Sequence, residues 1–318
     1  MQTIRNLPAL VRKQFKVAQA SGDLTFFETR VSILHCEGLP FQLRFSPALA
    51  NKPKSNKPSS SKPIDPFENP SAGLFITELP PSHFLVLNKF PVIPNHFILA
   101  TKIFKQQTDL LEQDDLAAAY ACLKAYRDNG EELFGFFNSG DASGASQPHR
   151  HIQFLPVDSM RSGIQEGVKW GVLADSLIKT PEPVLPFAYF AHPLTDDPSP
   201  KDLREIYLQL LEQGAAVTRS SNTENSGSPL KQPPFSYNLG LTDRAMVICP
   251  RLLEGLQIKD SNGDLLGPIS LNGTILGGTL LVKTEQEWET LRNDEEKLKD
   301  ILQGIGLPSV VNVDFGKL

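Results

Sequence analysis

The densest chemistry in the sequence lies at His149-Arg150-His151-Ile152-Gln153. A run rich in Gly and Ser precedes it, from Asn138 to Pro148, and the mostly apolar Phe154-Leu155-Pro156-Val157 follows. Side chains alternate faces along a strand, so His149, His151 and Gln153 would project together. A neutral imidazole is nucleophilic at cellular pH, because its unperturbed pKa is about 6.5. Backbone N–H groups of a glycine-rich loop can approach a phosphate closely. Together these residue types point to attack by a histidine on phosphorus.

Alternate histidines on a strand can also bind zinc, iron or copper. That reading needs a third and preferably a fourth ligand. The cysteines, Cys36, Cys122 and Cys249, are isolated, and His96 could join only by tertiary approach. An amide at the third alternate position suits hydrogen bonding better than ligation. His35, His83 and His192 stand alone and read as structural or merely exposed.

The elements that must position the motif follow from periodicity. Residues 8–20 read as an amphipathic helix with Leu10, Val11, Phe15 and Val17 apolar. Strands are expected at 29–34, 41–45, 84–87, 96–100, 134–137 and 148–156. A helix is expected at 109–127. The connections between successive strands are too short for parallel crossovers, so the pairs should be antiparallel. Residues 51–63 are rich in Lys, Ser and Pro, and should form a mobile loop. Residues 181–200 are proline-rich and should join two halves. Beyond them a helix is expected at 202–218, a polar exposed loop at 220–234, and strands at 237–242, 245–249 and 278–283. A turn-rich stretch fills the gap before the last of these. A helix over 284–301 should open with Thr284 as N-cap and Glu287 completing a capping box.

The 318 residues suffice for one large domain or two ordinary ones, and 40% apolar composition can build a core. A net charge of −5 gives no sign of a nucleic-acid surface. Scattered cysteines argue against a disulfide framework or a zinc ribbon. No apolar run is long enough to span a bilayer, so a soluble cytoplasmic protein with no membrane partner is the expectation.

H-x-H-x-Q, as His149, His151 and Gln153, resembles the nucleotidyltransferase branch of the histidine-triad superfamily. Asn138, Gly144 and Ser146 stand thirteen, seven and five residues before His151, as that family's phosphate- and ribose-contacting positions do. The segment from Asn88 to His96 is similar to the family's earlier signature. More closely, the chain resembles the yeast-type diadenosine tetraphosphate phosphorylase (ATP adenylyltransferase) family. The similar pieces include Pro47–Pro53, Asp65–Pro70, Ser146–Gln153, Ser236–Thr242, Val247–Arg251 and Ser270–Gly273 with Gly278–Lys283. They span most of the chain. The zinc-binding C-x-x-C often found in the related hexose-1-phosphate uridylyltransferases is missing.

The resemblance implies an α+β fold: a histidine-triad-like antiparallel sheet with flanking helices, in two related halves as in the galactose-1-phosphate uridylyltransferase-like group. Residues 1–180 would form the catalytic half, and residues 181–318 an ATP adenylyltransferase half without the histidines. It implies cleavage of diadenosine tetraphosphate by inorganic phosphate to ATP and ADP. His151 would be the nucleophile, His149 would orient it, and Gln153 would stabilise the adenylyl intermediate. Asn88 and Asn138, with Ser139, Gly144, Ala145, Ser146 and Gln147, would hold ribose and phosphate, and Lys52 the distal phosphates. No tightly bound cofactor or protein-held metal is implied, although Mg²⁺ could ride on the nucleotide. A hydrolase on the same nucleotides and a non-catalytic nucleotide- or metal-binding module are the alternatives.

Overall fold

A computed structural model describes residues 4–49, 65–179, 184–221 and 232–309. The chain opens with helix α1 (Leu7–Ser21), which carries Pro8 in its first turn and ends at Gly22 in the left-handed region. Its buried stripe is Leu7, Val11, Phe15 and Ala18. Leu10 and Val17, expected on the apolar face, are exposed instead. Strands β1 (Arg30–Cys36) and β2 (Leu39–Phe45) pair antiparallel across Glu37-Gly38. Both turn residues have positive φ, the two-residue geometry that matches strand twist.

Next come β3 (Phe75–Leu79), β4 (His83–Leu87), β5 (Phe97–Thr101), α2 (Gln113–Arg127), β6 (Leu133–Ser139) and β7 (His151–Pro156). Helix α2 starts four residues later than the pattern of apolar residues suggests. Asp115 turns back to accept from the Glu112 N–H and caps the helix there. The short helices α3 (Val157–Arg161) and α4 (Leu173–Leu177) precede β8 (Phe190–Pro193), α5 (Pro200–Ser221), β9 (Ser236–Leu241) and β10 (Ala245–Arg251). The stretch read as turns holds a hairpin, β11 (Gly255–Lys259) with β12 (Leu265–Ser270). Strand β13 (Thr279–Val282) leads into α6 (Glu285–Asn293) and α7 (Glu296–Ile305). Thr284 and Glu287 form the expected capping box. The expected single helix there is two, because Asp294 takes an extended conformation.

The fold is α+β and its main sheet is antiparallel throughout, in the order β3-β4-β5-β7-β6-β9-β10-β8. Next to the central β7–β6 pairing, β6 also pairs with β9, which joins a strand before residue 180 to one after it. Ile152 and Phe154 face one core with α1, α2 and α5, while Leu155 faces the other with β2, β13 and α7. Strand β13 runs parallel to β2, completing a three-stranded sheet over that second face. No described helix is long and apolar enough to cross a membrane. Of the lone histidines, His83 is buried against Asp115 and His35 is exposed beside Glu295. His192 hydrogen-bonds the Pro193 carbonyl.

Candidate active site

Strand alternation sorts the motif. Arg150 turns to the helix side, where it meets Asp115 at 2.7 Å and Glu112 at 3.1 Å. His151 and Gln153 turn to the other face. Strand β7 begins at His151 rather than at residue 148; His149 sits just outside it, in an isolated bridge with Gln106.

His151 is buried at 4% exposure. Its Nδ1–H donates to the His149 carbonyl at 2.8 Å. That bond fixes the tautomer with the lone pair on Nε2, which has no hydrogen-bond partner among the described residues. Burial lowers the His151 pKa from 6.5 to about 4, so the ring is neutral at pH 7. Its main chain is held on both sides by one amide: the His151 N–H donates to Gln107 Oε1, and Gln107 Nε2 donates to the His151 carbonyl. Phe67 covers the ring, with centroids 5.1 Å apart.

Gln153 belongs to a relay. His96 Nε2–H donates to Gln153 Oε1 at 3.1 Å, and Asn88 Nδ2–H donates to His96 Nδ1 at 3.2 Å. A neutral His96 with its proton on Nε2 satisfies both contacts, and burial lowers its pKa to about 4. With the Gln153 oxygen engaged, its NH₂ group is left for a ligand. Asn88 Oδ1 accepts from the Phe90 N–H, closing the proline-stiffened turn.

Beside this relay lies a cavity of about 340 Å³ between the main sheet and the β2–β13 layer. Asn88, Gly144, Ser146 and Gln153 line it, as do His96, Arg44, Asn272 and Lys283. Arg44 is buried with no carboxylate partner among the described residues. Its guanidinium bonds Gln42, Thr29 and main-chain carbonyls, and burial lowers its pKa to about 10. Gly144 has φ of 76° and closes the short turn Asp141–Ser143. Ala145 is exposed and Gln147 half-buried on the same loop.

Asn138 and Ser139 do not line the cavity; both are buried behind it at 2% exposure. Asn138 Oδ1 accepts from Asn238 Nδ2 at 3.0 Å and from the Gly273 N–H at 2.8 Å. Asn238 also donates to the Ser143 carbonyl and is itself held by Arg251. Asn138 thus ties the glycine-serine loop to the Gly273 segment. Lys52 and the lysine-rich stretch around it lie outside the described residues.

His149 is nearly inaccessible. Its Nδ1 lies 2.6 Å from Asp65 Oδ2, and its Nε2 lies 2.8 Å from the Thr101 carbonyl. With these bonds made, His149, His151 and His96 do not converge on a common point. Among the described residues no group of three or more His, Cys, Asp or Glu is placed to hold a metal ion. Asp65 and Asn238 fall in segments that carry the family resemblance and Gln107 in none, but the contacts of all three appear only when the chain folds. His96 was visible as a histidine eight residues after Asn88, a spacing that now reads as the two ends of one hydrogen bond.

The chain is similar to known proteins along nearly its whole length. A family model described as the Ap4A phosphorylase N-terminal domain matches residues 2–169, and one described as the ATP adenylyltransferase C-terminal domain matches residues 183–308. Diadenosine 5',5'''-P1,P4-tetraphosphate phosphorylase 2 of Saccharomyces cerevisiae is 31% identical, over 96% of this chain and 95% of its own. Protein APA1 of the same yeast is 28% identical with the same coverage. The crystal structure of yeast Ap4A phosphorylase Apa2 in complex with AMP aligns with a TM-score of 0.78 at 26% identity, over 98% of this chain and all of that one. Apa2 in complex with Ap4A, diadenosine tetraphosphate, aligns at 0.73 and 25% identity over the same shares. With a family model over more than half its length and a relative of this identity along nearly all of it, the chain belongs to the Ap4A phosphorylase family.

Proposed function

We propose that the protein splits diadenosine tetraphosphate with inorganic phosphate, yielding ATP and ADP, through an adenylyl group carried on His151. The observation that carries this reading is the bond from His151 Nδ1–H to the His149 carbonyl, because it reserves Nε2 for attack. In the first step the Nε2 lone pair forms a bond to the α-phosphorus while the P–O bond to ATP breaks, and ATP leaves with that electron pair. The ring becomes an imidazolium, which strengthens its Nδ1–H bond to the carbonyl. In the second step a phosphate oxygen forms the new P–O bond, the N–P bond breaks, and ADP leaves. Covalent catalysis divides one hard displacement into two easier ones.

The Gln153 NH₂ group would donate to a non-bridging oxygen, and a preorganised donor of this kind is worth about 3 kcal/mol in the barrier. Gly144 and Ser146 would hold the α-phosphate from the loop side. Asn88 would act at the ribose and through His96. On this reading residues 1–180 supply the reacting groups. Residues 181–318 close the far wall of the cavity through Asn272 and Lys283. The relatives support the substrate: one is named for phosphorolysis of this dinucleotide, and another binds it in its crystal structure.

The test is incubation with diadenosine tetraphosphate, with and without phosphate. ADP plus ATP formed only with phosphate is the expected result. AMP plus ATP formed without phosphate would make the protein a hydrolase, and no turnover would make it a binding module.

A further inference from the structure

His149 stands in an unusual setting for a histidine that does no chemistry itself. Asp65 Oδ2 lies 2.6 Å from Nδ1. On the other side, Nε2 meets the Thr101 carbonyl at 2.8 Å and the Thr101 hydroxyl at 3.0 Å. That hydroxyl gives its own proton to the Ile103 carbonyl at 2.8 Å, so its lone pairs are what face the ring. A carboxylate and a carbonyl can only accept. A neutral ring would therefore leave one nitrogen lone pair facing another lone pair, at a residue only 1% exposed. Phe67 and Phe104 present ring edges or faces to His149 at 5.5 and 5.3 Å, sealing it. Among the described residues Asp65 is the sole carboxylate hydrogen-bonded to His149, and His151 is the titratable neighbour on β7. Arg150 points away to the helix side.

We propose that Asp65 is a positioning residue: it holds His149 as a doubly protonated imidazolium and thereby fixes the carbonyl that sets the tautomer of the nucleophile His151. This rests on the reading of His151 as the nucleophile. The lever is short. The ring of His149 is pinned on both sides, and its own carbonyl receives the His151 proton. Asp65 fastens a second part of the site as well. Its Oδ1 accepts from the Phe67 N–H at 2.8 Å, which seats the Phe67 ring over His151. One carboxylate therefore sets the carbonyl on one side of the nucleophile and its apolar cover on the other.

The experiment compares the full-length wild type with Asp65→Asn, Asp65→Ala and Asp65→Glu. Nitrogen NMR of histidine-labelled resting enzyme at pH 7 should show both His149 nitrogens protonated and His151 protonated on Nδ1 alone. Asp65→Asn should convert His149 to a neutral ring. In single turnover it should slow ATP release on the order of tenfold to a hundredfold with KM nearly unchanged. Asp65→Glu should recover part of the loss. A wild-type His149 with one proton overturns the proposal, as does an Asp65→Asn variant with unchanged protonation and rate. Equal loss of rate in Asp65→Asn and Asp65→Glu, with only the melting temperature tracking it, makes the contact a structural tether and also overturns it. Wild-type enzyme that releases no ATP sinks the functional reading instead, while the NMR comparison still decides the protonation of His149.

Discussion

His96 Nε2 lies 3.1 Å from Gln153 Oε1, and this contact decides which end of the Gln153 amide meets a ligand. An amide has a donor end and an acceptor end, and a phosphate accepts only from the donor. With His96 giving its proton to the oxygen, the NH₂ group is turned outward. Asn88 enforces this one step further back by donating to His96 Nδ1. His96→Ala should therefore lower the rate of adenylylation by roughly tenfold to a hundredfold, less than outright loss of a preorganised donor because the Gln153 amide itself remains. Substrate affinity should change far less. His96→Gln, which can still donate to Gln153, should recover part of the rate. Single-turnover ATP release checks both variants, and equal rates in His96→Ala and wild type would show that Gln153 orients itself without help.

Removing the nucleophile makes a sharper test. His151→Ala should lose turnover by about three orders of magnitude or more, since loss of a covalent nucleophile leaves only binding and electrostatics to act. Nucleotide binding should survive, because Asn88, Gly144, Ser146 and Gln153 line the cavity independently of His151. Mass spectrometry of wild-type enzyme quenched without phosphate should map an adenylyl group to the peptide containing His151. An adduct on any other residue would remove His151 from the reaction.

Several contacts were legible in the sequence because their partners are close along the chain. The His149–His151 pair, the Thr284–Glu287 cap and the Asn88–His96 spacing all join residues within eight positions of each other. The antiparallel β4–β5 and β6–β7 pairs follow from short connections in the same way. What stayed hidden depends on long reach. Asp65 meets His149 across 84 residues, and Asn138 meets Asn238 across 100. Nothing local marks either contact. Asn138 was expected at the ligand; folding places it behind the cavity, where a buried side-chain oxygen is needed to accept the Gly273 N–H. The β11–β12 hairpin was missed because Gly255 opens one strand and Gly267-Pro268 interrupts the other, so both look like turns. The break at Asp294 was missed because the apolar period continues through it into α7. The contribution of Lys52 rests on residues outside those described.

The two depressed histidines predict an acid-sensitive fold. His96 and His151 ordinarily titrate near 6.5, and burial lowers each to about 4. Between those values the unfolded chain binds protons that the folded chain refuses. Their contribution is fully present above pH 6.5 and is lost as pH falls towards 4, by up to roughly 3 kcal/mol for each histidine. The carboxylates act in a lower window. Asp115, whose burial is outweighed by bonds from His83 and Arg150, has its pKa lowered below 3.8, so its share is lost only in more acid solution. Urea unfolding from pH 6.5 to 4.5 should show stability falling steadily, and a His96→Gln, His151→Gln double variant should flatten the fall. A flat wild-type curve over that span would contradict neutral burial of the two rings.

Gly144 tests how tightly the glycine-serine loop must sit against the opposite wall. Its φ of 76° lies in the left-handed region, where a Cβ costs about 1 kcal/mol or more. Space is a second and separate problem. A Cβ at Gly144 would stand 2.8 Å from the Asn272 Cβ and 2.9 Å from the Leu271 carbonyl oxygen. Neither atom is the end of a flexible side chain, so the loop or the Asn272 segment must move. Both line the cavity, and a shift there would separate Ser146 from the groups facing it. Gly263 supplies the control, because its φ is 87° but nothing lies within 4 Å of where its Cβ would be. Gly263→Ala should cost about 1 kcal/mol in urea unfolding and leave KM unchanged. Gly144→Ala should cost roughly 2–3 kcal/mol and raise KM several-fold, since it adds a backbone clash to the same conformational strain. If the two variants match in both measurements, the loop yields freely, and the close fit of Gly144 against Asn272 plays no part in holding the substrate.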